Sequence, residues 1–196
     1  MIKNIYDRAI SFFNEHGISV NLSRDMPAGY ETAFGTYDIE KNTLFINDLF
    51  IGNVSEPEYL FYLYHELRHA EQYLRPDKFD EKIRKSLKYV MLYNGTCFRF
   101  SDGRWHECFI DDGKEFLSDA YKGLPYETDA NDFAYETVLK ICGESPELKK
   151  VYFCFKPEKQ LTDKQYAVLF RRIDRLTGLS ENSFSKSKKD TVSDES

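Results

Sequence analysis

Residues 55–75 carry the longest helical pattern of hydrophobic and polar positions in the chain. Their apolar residues recur three or four positions apart, as on one face of an α-helix: Leu60, Leu63, Leu67, Ala70 and Leu74. Ser55 followed by Glu58 predicts a capping box at the start of this helix. Pro76 predicts that the helix ends by Arg75. We expect one flank of this central helix to pack into the core and the opposite flank to face a cleft.

The rest of the chain mixes helical and strand patterns. Helical spacing of apolar residues, with glycine or proline near the ends, predicts four further helices: residues 2–16, 77–93, 125–142 and 163–176. Runs of strand-forming residues bounded by turn residues predict five strands: residues 18–22, 33–37, 43–46, 96–100 and 105–110. We predict that residues 111–124 are loop-like, with at most one helical turn, and that residues 146–155 form a short segment. These elements indicate an α+β fold, with a small sheet packed on the central helix and additional C-terminal helices.

The pattern favours a single domain over residues 1–179. From Ser180 onward the chain is rich in serine, lysine and aspartate without periodicity, so residues 180–196 are predicted to be a disordered tail. An Asp-Gly pair joins the last two predicted strands as a hairpin, with Cys97 opposite Cys108. We expect these two cysteines to be packed thiols.

Composition argues against two classes of partner. The formal net charge is −6, whereas nucleic-acid modules usually carry a basic stripe, so no nucleic-acid partner is expected. No run approaches the roughly 18 apolar residues of a membrane span, so no membrane partner is expected either. The charged N-terminal residues do not resemble a secretory signal, which predicts a cytoplasmic protein with reduced thiols. The oligomeric state is left open.

The central helix contains His65-Glu66-Leu67-Arg68-His69, the pattern H-E-x-x-H. Positions i and i+4 share one helix face, with Cβ atoms roughly 5–6 Å apart, so both imidazoles can bind one metal ion at about 2.0–2.1 Å. The glutamate lies beside them, where it can take a proton from a water molecule at the metal. Chance produces this motif in roughly 0.7% of sequences with this composition. The motif therefore predicts a zinc site with Glu66 as catalytic base.

A catalytic zinc site usually has a third protein ligand, and the motif does not supply it. His16 is accounted for as a cation at a helix C-terminus, and His106 as a surface or substrate-side residue. Glu127 is the better candidate, because a carboxylate on a second helix can complete a His2Glu site. Its other interpretation is a first-turn acid favoured by the helix dipole. Four carboxylates compete with it: Asp129, Asp132, Asp111 and Asp112.

The predicted helix of Glu127 has two further features. Ala130 and Ala134 would let it approach the central helix closely. Asn131 lies one turn after Glu127, where its side chain could hydrogen-bond the distal ring nitrogen of a ligand histidine and hold its tautomer.

These two stretches resemble a known family. The run H-E-L-R-H-A-E-Q at 65–72 and the run P-Y-E-T-D-A-N at 125–131 resemble the small gluzincin-type zinc metallopeptidases of bacteria, phages and mobile elements, to which the ImmA/IrrE-type peptidases are related. The resemblance covers about residues 30–141. It implies a zincin-like fold, one zinc ion held by His65, His69 and Glu127, Glu66 as general base, and a peptide or protein substrate. Asn131 is a departure, since larger gluzincins often carry aspartate there.

The sequence offers several candidates for the rest of the site and for its function. His106, Tyr121 and Tyr126 are candidates to stabilise the oxyanion. An exposed strand edge, at 33–37 or at 43–46, is expected to bind substrate by strand addition. Two alternatives to a peptidase are a catalytically silent metal-binding or regulatory interaction module, and a hydrolase of another carbonyl bond.

Overall fold

The computed structural model describes residues 3–47, 49 and 53–179. Within these residues the chain forms seven α-helices and two three-stranded sheets, so it is a mixed α+β protein as predicted. The helices are α1 (Lys3–His16), α2 (Glu56–Leu74), α3 (Glu81–Ser86), α4 (Lys114–Lys122), α5 (Pro125–Cys142), α6 (Pro146–Cys154) and α7 (Asp163–Leu176). The strands are β1 (Asn21–Ser23), β2 (Gly35–Asp38), β3 (Thr43–Ile46), β4 (Tyr89–Met91), β5 (Thr96–Ser101) and β6 (Arg104–Phe109).

Contacts between residues group the chain into two compact units. The first contains the residues up to Leu87 together with Leu124–Lys156, and the second contains Lys88–Gly123 with the residues from Pro157 onward. This grouping does not test the single domain predicted for residues 1–179, which stays a prediction. The predicted tail at 180–196 lies outside the described residues. No helix in the described part of the chain has the length and apolar character needed to cross a membrane.

The first unit is built around α2, the central helix. Its apolar residues Leu60, Phe61 and Leu67 are completely buried. Helix α5 makes the most extensive contact with α2, and Ala130 and Ala134 are both fully buried on α5. Small side chains at these positions let two helix backbones approach closely, as the sequence suggested. Because α5 covers the histidine flank of α2, that flank is packed rather than open.

The sheet of the first unit has the order β1-β3-β2. Strand β3 lies in the centre, parallel to β1 and antiparallel to β2. Of the two strands proposed as substrate-binding edges, Thr43–Ile46 is therefore interior and already paired on both sides. Of these two strands, β2, close to the predicted 33–37, is the one at an edge of the described sheet.

The second unit contains the predicted hairpin. Strands β5 and β6 meet at Asp102-Gly103, both with positive φ, which suits a tight two-residue turn. The register places Cys97 opposite Cys108, as predicted, and all four cysteines are free thiols. Strand β4 pairs with the outer side of β5. From α7, Asp174 accepts hydrogen bonds from Tyr89 and Arg99 and ties this helix to the sheet.

Two predictions about local structure are wrong. The helix predicted over 77–93 is only the short α3, capped by Asp80 at the Ile83 amide, and Tyr89–Met91 pairs with β5 instead. The residues predicted to be loop-like at 111–124 contain the nine-residue helix α4. The short segment predicted at 146–155, for which the sequence indicated no type of secondary structure, is α6. Strand pairing and packing between distant segments decided these cases, which local patterns do not report.

The predicted capping box of α2 does not form. Ser55 is the N-cap residue, but its side chain makes no capping hydrogen bond. The second helical position is Pro57, which has no N–H, so only the Glu58 amide is left as a donor in reach of a cap oxygen.

Burial along α2 predicts a large difference between two leucines of the predicted stripe. Leu67 is fully buried, whereas Leu74 is 39% exposed. Replacing Leu67 by alanine should lower the free energy of unfolding by about 2–5 kcal/mol, because it leaves a cavity in the core. The matched Leu74→Ala change should lower it by less than about 1 kcal/mol. Urea unfolding of both variants measures the difference, and equal losses would contradict this description of the core.

Candidate metal centre

Helices α2 and α5 bring three donor side chains to one point. The Nε2 atoms of His65 and His69 are 2.9 Å apart. One oxygen of Glu127 lies 3.3 Å from Nε2 of His65 and 3.5 Å from Nε2 of His69. These three side chains form a cluster that can hold a metal ion. The structure thus places Glu127, as predicted, beside both histidines of the motif.

The spacing of these donors fits a single ion. Two atoms bound at about 2.0–2.1 Å with tetrahedral angles lie about 3.3 Å from each other. The three observed separations, 2.9, 3.3 and 3.5 Å, lie around that value. Two nitrogens and one carboxylate oxygen also form the donor set of known catalytic sites with an open fourth position. The residues present therefore fit a bound metal ion.

Burial makes a cation necessary at this point. All three side chains are almost completely buried, with Glu127 only 5% exposed. Burial by itself lowers the pKa of His69, but the adjacent Glu127 carboxylate, together with Glu66 and Gln72, more than offsets this and raises that pKa to about 9. Burial raises the pKa of Glu127, and the two histidines overcome it and hold the pKa well below its usual range. In the metal-free protein a proton therefore balances the carboxylate.

Gln72, one turn after His69 on α2, holds that histidine. Its Oε1 lies 2.9 Å from Nδ1 of His69, and it is fully buried. Its Nε2 donates to the backbone oxygen of Tyr126 and to a carboxylate oxygen of Asp129, both on α5. The sequence showed Gln72 next to the motif but assigned it no role. Its i+3 spacing from His69 was the available signal, since side chains at that spacing are neighbours on a helix.

The other carboxylates considered as ligands are engaged elsewhere. Asp129 forms a bidentate ion pair with the guanidinium of Arg68. Asp132 accepts a hydrogen bond from the hydroxyl of Tyr152. Asp111 and Asp112 belong to the second unit. Among the four competitors, none belongs to the cluster with the two histidines.

Asn131 is buried near the cluster but hydrogen-bonds another group. Its Nδ2 donates to the backbone oxygen of Phe155 at 3.4 Å. The Oδ1 atom of Asn131 is buried and has no hydrogen-bond partner in the described part of the chain. The same holds for the Nδ1 atom of His65. The ring of Phe155 lies 6.1 Å from that of His65. The predicted bond between Asn131 and a ligand histidine is therefore not formed, and its role in the metal site stays a prediction.

Glu66 lies against strand β2 and is only half-buried. A Cβ atom added to Gly35 would lie 3.1 Å from Cγ of Glu66 and 2.9 Å from the backbone oxygen of Phe45. A side chain at position 35 would thus displace the stem of Glu66. The sequence gave no role to Gly35. A small pocket at this place is bounded by Glu66, Gly35 and Tyr62, and its lining is otherwise apolar and aromatic.

The three oxyanion candidates lie in different units. Tyr126 belongs to the first unit and is buried, with its ring 5.5 Å from that of His69. His106 and Tyr121 belong to the second unit, the former on β6 and the latter on α4.

His16 ends α1, where its Nδ1 approaches the backbone oxygen of Phe12 and its ring stacks on that of Phe12.

Comparison of the chain with protein-family models, with curated proteins and with solved structures finds no match. The resemblance to gluzincins therefore stays a prediction from two short stretches. The case for a metal centre rests on the geometry of His65, His69 and Glu127.

Metal binding should release a proton at neutral pH. His69, with a pKa of about 9, is mostly protonated at pH 7.5 in the metal-free protein, and a metal-bound imidazole has to be neutral. Calorimetric titration with Zn²⁺ in buffers of different ionisation enthalpy should show release of about one proton per ion at pH 7.5.

The same titration at pH 9.5 provides the control. Release should fall there, because His69 is then largely neutral before the metal binds. The stability of the metal-free protein should depend on pH for the same reason. The raised pKa of His69 stabilises the metal-free fold most below pH 6.5, and this contribution is lost as the pH rises to about 9. Proton release that is independent of pH would contradict the charge state described for the cluster.

Proposed function

We propose that the protein is a zinc-dependent metallopeptidase. The observation that carries this proposal is the convergence of His65, His69 and Glu127 on one buried point, with Glu66 adjacent on the same helix. The motif H-E-x-x-H with a glutamate from a later helix supports a gluzincin-type site in a zincin-like fold.

The donor set favours zinc over the harder cations. Calcium and magnesium prefer oxygen ligands in larger numbers, whereas imidazole suits zinc and other transition metals. A zinc ion supplies Lewis acidity in such a site, activating water and polarising a carbonyl group. Three protein ligands leave one position of a tetrahedral ion free for that chemistry.

Glu66 is proposed as the general base. It shares the helix with both histidines, and its negative charge contributes to the raised pKa of His69. Its partial exposure keeps it within reach of water and substrate. In this role its carboxylate takes the proton of the attacking water and passes it to the leaving amine. The absent side chain of Gly35 leaves space for this carboxylate beside β2.

Strand β2 is the proposed docking edge for a peptide. It pairs only with β3 in the described sheet, so its outer edge can accept another strand. Its first residue, Gly35, lies against Glu66. A peptide added along this edge would therefore pass close to the catalytic base. Tyr126, beside His69, is the oxyanion candidate that its unit brings next to the metal ligands.

Metal content tests the site. The wild-type protein should contain about one Zn²⁺ per chain, bound by His65, His69 and Glu127. His65→Ala and Glu127→Ala should each retain little zinc after dialysis, because each removes one ligand. His16→Ala is the matched control, since this histidine packs on Phe12 outside the cluster. Full zinc in Glu127→Ala would place the third ligand elsewhere.

Glu66→Gln should separate binding from turnover. The amide keeps the shape of the side chain but cannot accept the water's proton, so zinc content should match the wild type while peptide cleavage falls by about 100-fold or more. Glu58→Gln, about two turns earlier on α2, is the control and should cleave normally. The measurement is cleavage of a peptide library with and without chelator.

The same assay separates the alternative functions. Cleavage by the Glu66→Gln variant at the wild-type rate would exclude the mechanism. Zinc binding without any cleavage by the wild type would favour the silent metal-binding module.

A further inference from the structure

We propose that Gln72 is the positioning residue of the metal site: it selects the tautomer of His69 that carries its proton on Nδ1 and presents Nε2 to the metal. The inference rests on the metal site proposed above and concerns how this chain sets that site. It assigns to Gln72 the function that the sequence predicted for Asn131.

The orientation of the Gln72 amide follows from its partners. A primary amide has one oxygen that accepts and one nitrogen that donates, and the hydrogen-bond network decides which is which. The nitrogen has two acceptors, the Tyr126 backbone oxygen at 2.9 Å and an Asp129 carboxylate oxygen at 2.8 Å. Neither acceptor could bond to the amide oxygen. Oε1 is therefore the atom that faces Nδ1 of His69.

An oxygen facing Nδ1 decides which tautomer the neutral ring of His69 adopts. The 2.9 Å contact is a hydrogen bond only if Nδ1 carries the proton, because Oε1 has none to donate. In a neutral imidazole the other nitrogen, Nε2, then carries a lone pair. That nitrogen is the one that lies with Nε2 of His65 and the Glu127 oxygen. The amide thus aims the ligand atom of His69 at the metal position.

Asp129 is fixed by its own partners, so the amide cannot easily turn over. The Arg68 guanidinium donates to both oxygens of Asp129, at 2.8 and 3.1 Å. Arg68 is held in turn by Glu71 at 2.9 Å. Its guanidinium lies over the rings of Phe79 and Phe133, 4.6 and 4.5 Å from their centroids. Reversing the amide would direct its oxygen at a carboxylate and a carbonyl in a buried place.

The two histidines are held differently. Nδ1 of His65 has no hydrogen-bond partner in the described part of the chain, whereas Nδ1 of His69 has one from a completely buried amide. Tautomer selection from within the protein therefore acts on His69. Partners of this kind typically change metal affinity by roughly 10–100-fold.

A purely structural role for Gln72 makes a different prediction. The residue connects α2 to α5, so its loss would lower the stability of the metal-free protein in either case. If it only connected the helices, the folded fraction of a variant would bind zinc as tightly as the wild type. Zinc affinity of the folded protein and the state of the His69 ring distinguish the two roles.

The experiment compares Gln72→Leu with Asn47→Leu in the full chain. Asn47 is a matched control because it is also a buried amide of the first unit, whose nitrogen donates to two backbone oxygens. It makes no hydrogen bond to the histidines. Zinc affinity is measured by competition with a chromogenic chelator. The four histidines are then observed in the zinc-loaded, ¹⁵N-labelled proteins by long-range ¹H–¹⁵N NMR.

Gln72→Leu should weaken zinc binding about tenfold or more, and Asn47→Leu by less than about threefold. In the wild type His69 should show a metal-bound Nε2 and a slowly exchanging proton on Nδ1. In Gln72→Leu that proton should exchange faster, because its acceptor is gone. Gln72→Leu affinity within threefold of the wild type, or an unchanged Nδ1 proton, would overturn the proposal.

A second variant covers the case in which Gln72→Leu does not fold. Gln72→Glu keeps an acceptor for Nδ1 of His69 but places a carboxylate against Asp129. It should keep the Nδ1 proton while losing stability, and a metal-bound Nδ1 in this variant would overturn the proposal. Absence of zinc in the wild-type protein would contradict the proposed function itself. Full zinc in the wild type, with a zinc affinity that replacing Gln72 leaves unchanged, would contradict only this inference.

Discussion

Three potential metal-ligand atoms converge in a place that water hardly reaches. Once His69 donates through Nδ1, the cluster presents two imidazole nitrogens and a carboxylate oxygen to one another at 2.9–3.5 Å. Buried acceptors without a positive partner are costly. A cation has to balance them, and the choice lies between a proton and a metal ion. The remainder of the first unit can be understood as the structure that holds these three atoms in place.

The contact between α2 and α5 sets this geometry. Small buried residues on α5, Ala130 and Ala134, allow the two helices to approach. The ion pair of Arg68 with Asp129 and the two bonds donated by Gln72 fix their alignment. The arrangement of the candidate metal cluster and the packing of the two helices therefore depend on the same few residues. A change that shifts α5 along α2 would move the carboxylate of Glu127 away from both histidines.

The side of the motif that carries Glu66 is less enclosed. Glu66 lies between α2 and the edge strand β2, where the absence of a side chain at Gly35 leaves it space. The candidate ligands are packed between helices, whereas the proposed base is half-buried next to an unpaired strand edge. This division suits a hydrolytic site, because the ligands need a fixed position and the base needs access to water and substrate.

Local sequence determined the features that depend on neighbouring residues. The four-residue spacing of His65 and His69 puts them on one helix face in almost any context, and an Asp-Gly pair sets the register of the β5–β6 hairpin. Helix α5 has the predicted bounds because Pro125 can start a helix and Gly143, with positive φ, can end one. Tertiary structure decided the features that depend on distant partners. Tyr89–Met91 left its predicted helix to pair with β5. Asp129, a competitor for the metal, is held by Arg68 instead. Gln72 bonds His69 where Asn131 was expected, because the alignment of two helices selects which side chain meets the ring, and no spacing within one segment records that alignment.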